Sequence, residues 1–391
     1  MLHRVKKIFE LEAPIGILLL VATIASLLVA NSQYFIIYQG FFSFNLPLNL
    51  SFVGIYKELT IHDWINNALM AIFFLLVGLE LKEEVLAGEL SSKSKAMLPA
   101  IAACGGVIVP ALIFYLYNSN QPENLAGFAI PTATDIAFAY GVICLFGNKV
   151  SKSLKVFLIS LAIFDDLSAI LIIAFFYSQD ISPLYLMLAF LCIFGLAILG
   201  LKKSTNLFLY LALGVILWLM VLKSGIHPTF AGVVLATFIP RQKDMLHKLI
   251  KKIAPITNFL ILPLFAFANS GLRIENFSFE ILTTPMVLGI AFGLFFGKQI
   301  GVMLFSYLAI KLGLTHLPRS SKGASSWLEF YGVSILTGIG FTMSFFIGSL
   351  AFASNQDAFD EVKIGVLCGS FLSAIFGMIV IYASLPKKMA L

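Results

Sequence analysis

The chain has 391 residues, 60% of them hydrophobic and 12% charged, with a mean hydropathy of +0.97 and a formal net charge of +6. A water-soluble core of this length needs far more charge to coat its surface, so the composition excludes a soluble protein and gives a membrane protein. A positive excess gathered in one patch would fit nucleic acid, but this excess is spread over loops, which leaves nucleic acid without a role.

Twelve apolar runs follow one another as candidate spans: 12–31, 59–84, 96–117, 122–146, 151–176, 182–201, 205–222, 225–239, 250–270, 284–310, 327–351 and 361–385. About 20 apolar residues cross the hydrocarbon core as a helix. The fold class is therefore an all-α polytopic membrane protein of about 12 transmembrane helices, with residues 1–391 in a single transmembrane domain.

In chain order, LHRVKKIFEL (2–11) reads as a short basic amphipathic helix on the membrane surface. The long apolar run after it is an uncleaved first span rather than a removed signal. Residues 32–57 form the longest outer segment. Within it FFSFNLPLNLSFVGIY alternates apolar and polar residues, which predicts a β-hairpin. A lone hairpin is marginal in water. Its edge is covered either by a second subunit, making a homodimer, or by its own membrane domain.

Span 2 ends in GLELKEEVLAGEL. Glu80, Glu83 and Glu84 there form either an acidic mouth that draws cations in or a solvated helix end balanced by Lys82. Span 4 carries Pro131, Thr132 and Thr134 just before Asp135, and proline disturbs a helix. Span 5, LKVFLISLAIFDDLSAILIIAFFY, holds Asp165 and Asp166 side by side. His227 opens span 8, as a pH-responsive group or a satisfied interfacial histidine. Span 10 encloses Lys298, and span 11 is interrupted by Gly332, Gly338, Gly340 and Gly348. Broken backbone at membrane depth survives where it is buried or lines a wet cavity. Spans 4 and 11 thus read either as two unwound helices at equivalent places in inverted repeats, spans 3–5 and 10–12, or as two unrelated kinks between packed helices. The four cysteines have no metal-ligand spacing and read as buried free thiols.

With loops assigned to alternate sides, 21 of the 26 lysines and arginines fall on one side. Only Lys57, Lys223, Arg273 and Lys363 fall on the other, and Lys298 lies inside a span. Positive loops stay in the cytoplasm, which predicts a multi-pass protein with both termini cytoplasmic.

The chemistry lies in Asp135, Asp165, Asp166 and Lys298. A charge at bilayer depth costs at least ~2.5–3.5 kcal/mol and is functional by default. Neighbours on a helix point about 100° apart, so Asp165 and Asp166 divide two tasks: one faces the ion path and the other a partner, for which Lys298 is the candidate. Asp135 would offset the partial charge of two half-helix N-termini. Thr132 and Thr134 either ligate a hard cation or cap the break. Oxygen ligands without sulfur or imidazole point to an alkali cation. A carboxylate that holds a proton or a cation, never both, is sufficient for antiport.

TATDIAFAYGV, LAIFDDLSAILIIAFFY, LPLFAFANSG, GKQIG and GIGFTMSFFIGSLAF, with WINNALMAIFFLLVGLELKEE and KSGIHPTFAG, resemble the NhaA family of bacterial sodium/proton antiporters over essentially the whole chain. The resemblance implies that spans 4 and 11 cross at mid-membrane. It implies a cation and proton site, for Na⁺ or Li⁺, at Asp165 and Asp166 with Thr134 and Asp135 nearby. Lys298 would pair with Asp165, compensate the helix ends or carry a proton. The family exchanges cytoplasmic Na⁺ or Li⁺ for external protons, electrogenically and at alkaline pH, in the bacterial inner membrane. In doing so it maintains intracellular pH and sodium balance. It is not an enzyme, needs no cofactor, sits among membrane lipids and forms dimers through the outer hairpin. The chain departs from the family at Gln299, Pro228, Glu83, Asn67 and Ile250–Lys252, most of which changes the pH-sensing surface and not the core chemistry.

Other readings fit less well. An intramembrane aspartyl protease needs a Gly-x-Gly-Asp tetrapeptide, which is missing here. A cation channel, the nearer rival, would predict large currents independent of a proton gradient. A proton-coupled solute symporter needs an aromatic and amide lining.

Overall fold

Each of the twelve predicted spans is helical in the structure, a computed structural model that describes residues 2–51, 55–88, 91–178, 180–241, 244–273, 279–319 and 326–385. Eight helices are long and apolar enough to cross a membrane by themselves, and up to eleven segments are if three bent pairs count as one each. Capping side chains set several starts. Thr60 and Asp63 form a reciprocal capping box, 3.1 and 2.8 Å, ahead of span 2. Asn206, Ser326 and Asn355 accept from the first turns of their helices.

The chain divides into two compact units. The first comprises residues 1–21, 87–169 and 276–391. It holds most of α1 (Leu2–Ala30), α5 (Lys93–Asn118), a 3-10 helix (Pro122–Thr132), α6 (Ile136–Cys144) and most of α7 (Lys152–Phe176). It continues with α13 (Pro285–Phe292), a π-turn (Gly293–Gly297), α14 (Lys298–Lys311), α15 (Trp327–Leu336), α16 (Phe341–Ala351) and α17 (Gln356–Ser384). The close packing of α5 on α14 depends on glycines. A Cβ on Gly301 would lie 2.1 Å from the Gly105 carbonyl oxygen.

The second unit comprises residues 22–86 and 170–275. It contains α2 (Phe35–Phe42), β1 (Leu48–Leu50), β2 (Ile55–Lys57) and α3 (Ile61–Trp64), which runs through a π-turn (Ile65–Leu69) into α4 (Met70–Ala87). Then come α8 (Pro183–Leu201), α9 (Leu207–Ser224), α10 (Phe230–Phe238) and α11 (Met245–Ile256), continued by a π-turn (Thr257–Ile261) and α12 (Leu262–Asn269). Its core gathers Leu75, Leu79, Leu196, Tyr210, Leu235 and Leu249.

Four sequence expectations need adjusting. The outer hairpin is shorter than predicted, pairing Leu48↔Lys57, Asn49↔Tyr56 and Leu50↔Ile55. Phe35–Phe42 is a helix, because FIIYQGFF is apolar without strict alternation and buries Phe42 beside Tyr38 and Phe267. The first half of span 4 is 3-10 and not α. The cysteines are free, but only Cys192 of the four is buried: an apolar segment facing lipid is not a buried one. LHRVKKIFEL falls in α1, and its side chains lie outside the described residues.

Gly301→Val should therefore force α5 and α14 apart and destabilise the protein by at least ~1–3 kcal/mol. Thermal unfolding in detergent checks this against Gly40→Ala. The added methyl at Gly40 meets nothing within 4 Å, so that variant should unfold no earlier than the parent protein.

Candidate functional site

The first unit contains two interrupted helices, and each is bent by 41°. In span 4 the 3-10 helix stops at Thr132, residues 133–135 are extended, and α6 begins at Ile136. In span 11, α15 ends at Leu336 and α16 begins at Phe341. Gly338 stands in this gap with the Leu294 carbonyl oxygen where its Cβ would be, 2.3 Å away. No other residue fits there.

The two breaks satisfy each other. The Asp135 amide donates to the Ile339 carbonyl at 2.7 Å, and the Thr134 hydroxyl lies 2.7 Å from the Thr337 carbonyl. The Asp135 carboxylate serves both half-helix N-termini. Oδ1 accepts from the Phe138 amide of α6 at 2.9 Å. Oδ2 accepts from the Thr342 amide of α16 at 3.0 Å and from the Thr342 hydroxyl. A negative group between two positive dipole ends is favourable on both sides. The Ser370 hydroxyl of α17 accepts from the Gly340 and Phe341 amides, both at 3.2 Å.

Next to this crossing lies an ion pair with no solvent contact. Lys298 Nζ is 2.5 Å from Asp165 Oδ2, and both side chains are 0% exposed. Thr134 Oγ1 is 2.7 Å from the same oxygen. Asp165 Oδ1 takes no hydrogen bond from the described residues. Asp166 is also buried, and its charge acts on Lys298. Breaking such a pair by removing one partner leaves an uncompensated buried charge.

Thr134, Asp165 and Lys298 are therefore joined by direct bonds, Asp135 adjoins them as the residue after Thr134, bonded across the two breaks, and Asp166 follows Asp165 on α7. Thr132 stands apart: its hydroxyl donates to the Ala129 carbonyl at 2.8 Å and finishes the 3-10 helix. Ser370, Thr337 and Thr342 escaped the sequence reading. A hydroxyl in an apolar span gives no sign of what it caps, and only the TGIGFT break itself hinted at Thr337 and Thr342.

The remaining candidates lie in the second unit. Glu80, Glu83 and Glu84 are partly exposed at the end of α4. Lys82 does not balance them. Its ammonium donates to the Thr237 and Ile239 carbonyls at the end of α10, at 2.5 and 2.7 Å, as a cation at a helix C-terminus should. Glu83 instead meets His247 at 3.2 Å, a partner the sequence reading did not single out. His227 has a partner, the Thr229 hydroxyl 2.7 Å from its Nδ1.

Removing the Asp135 acceptors should destabilise the first unit. Each N-cap acceptor contributes about 1 kcal/mol, so Asp135→Ala should cost about 2 kcal/mol. Asp135→Asn keeps one oxygen acceptor and should cost about half of that, read as a smaller loss of thermal stability in detergent.

The chain matches known proteins along nearly its whole length. The family model described as Na⁺/H⁺ antiporter 1 matches residues 6–381. The Na⁺/H⁺ antiporter NhaA of Pelagibacter ubique is 49% identical over 388 residues, covering 97% of each chain. That of Psychrobacter cryohalolentis is 46% identical over 393 residues, covering 99% of this chain and 96% of the relative. NhaA 2 of Campylobacter jejuni is 47% identical over 383 residues, covering 97% and 98%. The solved structure of the sodium proton antiporter MjNhaP1 from Methanocaldococcus jannaschii superimposes with a TM-score of 0.55 at 17% identity, over 96% of this chain and 91% of that one, which is a likeness of fold. A family match across nearly the whole length, with relatives approaching half identity, means that this chain belongs to the Na⁺/H⁺ antiporter 1 family.

Proposed function

We propose that the protein exchanges cytoplasmic Na⁺ or Li⁺ for external protons, and that Asp165, Asp166, Thr134 and Lys298 carry the exchange. The observation that carries this reading is the dry Lys298–Asp165 pair, with Asp166 one residue away, beside two broken helices. It is supported by the family match and by relatives named for this exchange.

Asp166 takes either a proton or the cation, which is the minimum for antiport. The free Asp165 Oδ1 is a second hard oxygen close by. Thr134 has one hydroxyl hydrogen and two acceptors within 2.7 Å, Asp165 Oδ2 and the Thr337 carbonyl. When Asp165 is ionised the hydroxyl can donate to it, and when Asp165 is protonated the hydroxyl accepts from it and donates to Thr337. The protonation of Asp165 is thereby linked to the break in span 11. Asp135 acts as the shared cap, placed to hold the crossing and not to bind the cargo.

Loss of one proton from Asp166 against one Na⁺ moves no net charge. A second proton released from Lys298 in the same step makes the exchange electrogenic. Protons occupy the site at low pH and exclude Na⁺, so activity rises toward alkaline pH. Glu80, Glu84 and His227 act at the periphery, in cation access or pH response. The positive loops support cytoplasmic termini in a bacterial inner membrane, and β1 and β2 offer a dimer contact. No cofactor is required.

In reconstituted vesicles with an internal pH dye, Na⁺ or Li⁺ should collapse an imposed pH gradient, increasingly so as pH rises, and Asp166→Asn should match protein-free vesicles. Clamping the membrane potential with valinomycin and K⁺ should accelerate the collapse. Folded Asp166→Asn protein that still exchanges would sink the assignment.

A further inference from the structure

Lys298 is the first residue after a π-turn. Gly293–Gly297 are wound as a π-helix, and the Lys298 amide bonds to the Gly293 carbonyl, five residues back. A π-turn holds one residue more than an α-turn and is uncommon. Relaxed to α geometry, it would swing the residues beyond it by about 100° relative to those before. Lys298 would then leave Asp165.

Something must therefore keep the turn open, and the next residue is built to do so. Gln299 is 5% exposed. Its Nε2 donates to the Phe295 carbonyl inside the π-turn at 2.6 Å. Its Oε1 accepts from the Tyr331 hydroxyl of α15, also at 2.6 Å. The carbonyl fixes which end of the amide points where, because a flipped amide would set two oxygens against each other. The two bonds tie the π-turn to the half-helix that ends at the break in span 11.

We infer that Gln299 and Tyr331 are positioning residues for Lys298, closing a ring of contacts around the exchange site; this rests on the exchange reading above. The ring runs from Lys298 to Asp165, from Asp165 to Thr134, and from Thr134 to the Thr337 carbonyl. It returns down α15 to Tyr331, through Gln299, and so to Lys298. A shift of α15 is thereby felt at the lysine from two directions, through Asp165 and through its own backbone. Asp165 and Asp166 of α7 are the charged groups that act on Lys298. Packed α5 presents Gly106 to it, and α15 carries Glu329 two residues before Tyr331.

The test is the pH profile of Na⁺-driven exchange for Gln299→Leu, Tyr331→Phe and the double variant, in vesicles made from monodisperse protein. Each single variant loosens the hold on the π-turn and so on Lys298, and should shift the half-maximal pH by about half to one unit. The double variant should move it no further than the larger single one, since both changes cut the same link. The KM for Na⁺ on the alkaline plateau should stay within about twofold, because neither side chain touches the cation. Gln299→Met, of similar length, replaces the leucine variant if that one fails to assemble. Profiles that superimpose on the parent protein or shift additively overturn the inference. A parent protein that does not exchange at all overturns the functional reading instead, so the two failures are distinguishable.

Discussion

A peptide group released by a break in a membrane helix has no water to bond with, and it must be satisfied by protein. This constraint shapes the first unit. Two breaks are placed face to face so that the amide of one can reach the carbonyl of the other, Asp135 to Ile339. The amides left over at the starts of α6 and α16 are taken up by one carboxylate and one serine, Asp135 and Ser370. The carbonyl left over at the end of α15, that of Thr337, takes up Thr134. Thr134 also touches Asp165. The repair of the backbone and the chemistry of the site thus share a side chain.

The same constraint separates the tasks of the three acids. Asp135 is occupied by donors on both oxygens and offsets two dipole ends. Asp165 is engaged by an ammonium and a hydroxyl. Asp166, the next position on α7, points about 100° away from Asp165, and its charge also acts on Lys298. One acid serves the backbone and one pairs with Lys298, and the exchange proposed above gives the third to the cargo.

Much of this was legible in the sequence because charge inside an apolar run is so costly that each instance needs a reason. Asp135, Asp165, Asp166 and Lys298 stood out for that cause alone, and Pro131 and the four glycines of span 11 marked the broken spans. The hydroxyls did not stand out. Thr342 and Ser370 resemble many membrane-helix residues until their amide partners are known. The π-turn before Lys298 left no trace, since its glycines read equally well as packing residues against α5. The helix over Phe35–Phe42 went unread, since FIIYQGFF carries no side-chain cap to mark its start and its packing on Phe267 is tertiary. Lys82 misled because sequence proximity pointed to Glu80, Glu83 and Glu84, whereas tertiary structure brought it the end of α10.

A dry ion pair is a poor stabiliser, since an apolar pair of equal volume would often hold the helices better. Its persistence at Lys298 and Asp165 calls for a reason other than stability. The pair has two low-charge states, one with both groups ionised and one with the proton passed across 2.5 Å. Neither state leaves a bare charge in the unit. In the exchange proposed above, a cation at Asp166 would place positive charge beside Lys298 and so act on the pair directly. A pair of leucines would be more stable there and would be silent to both ions.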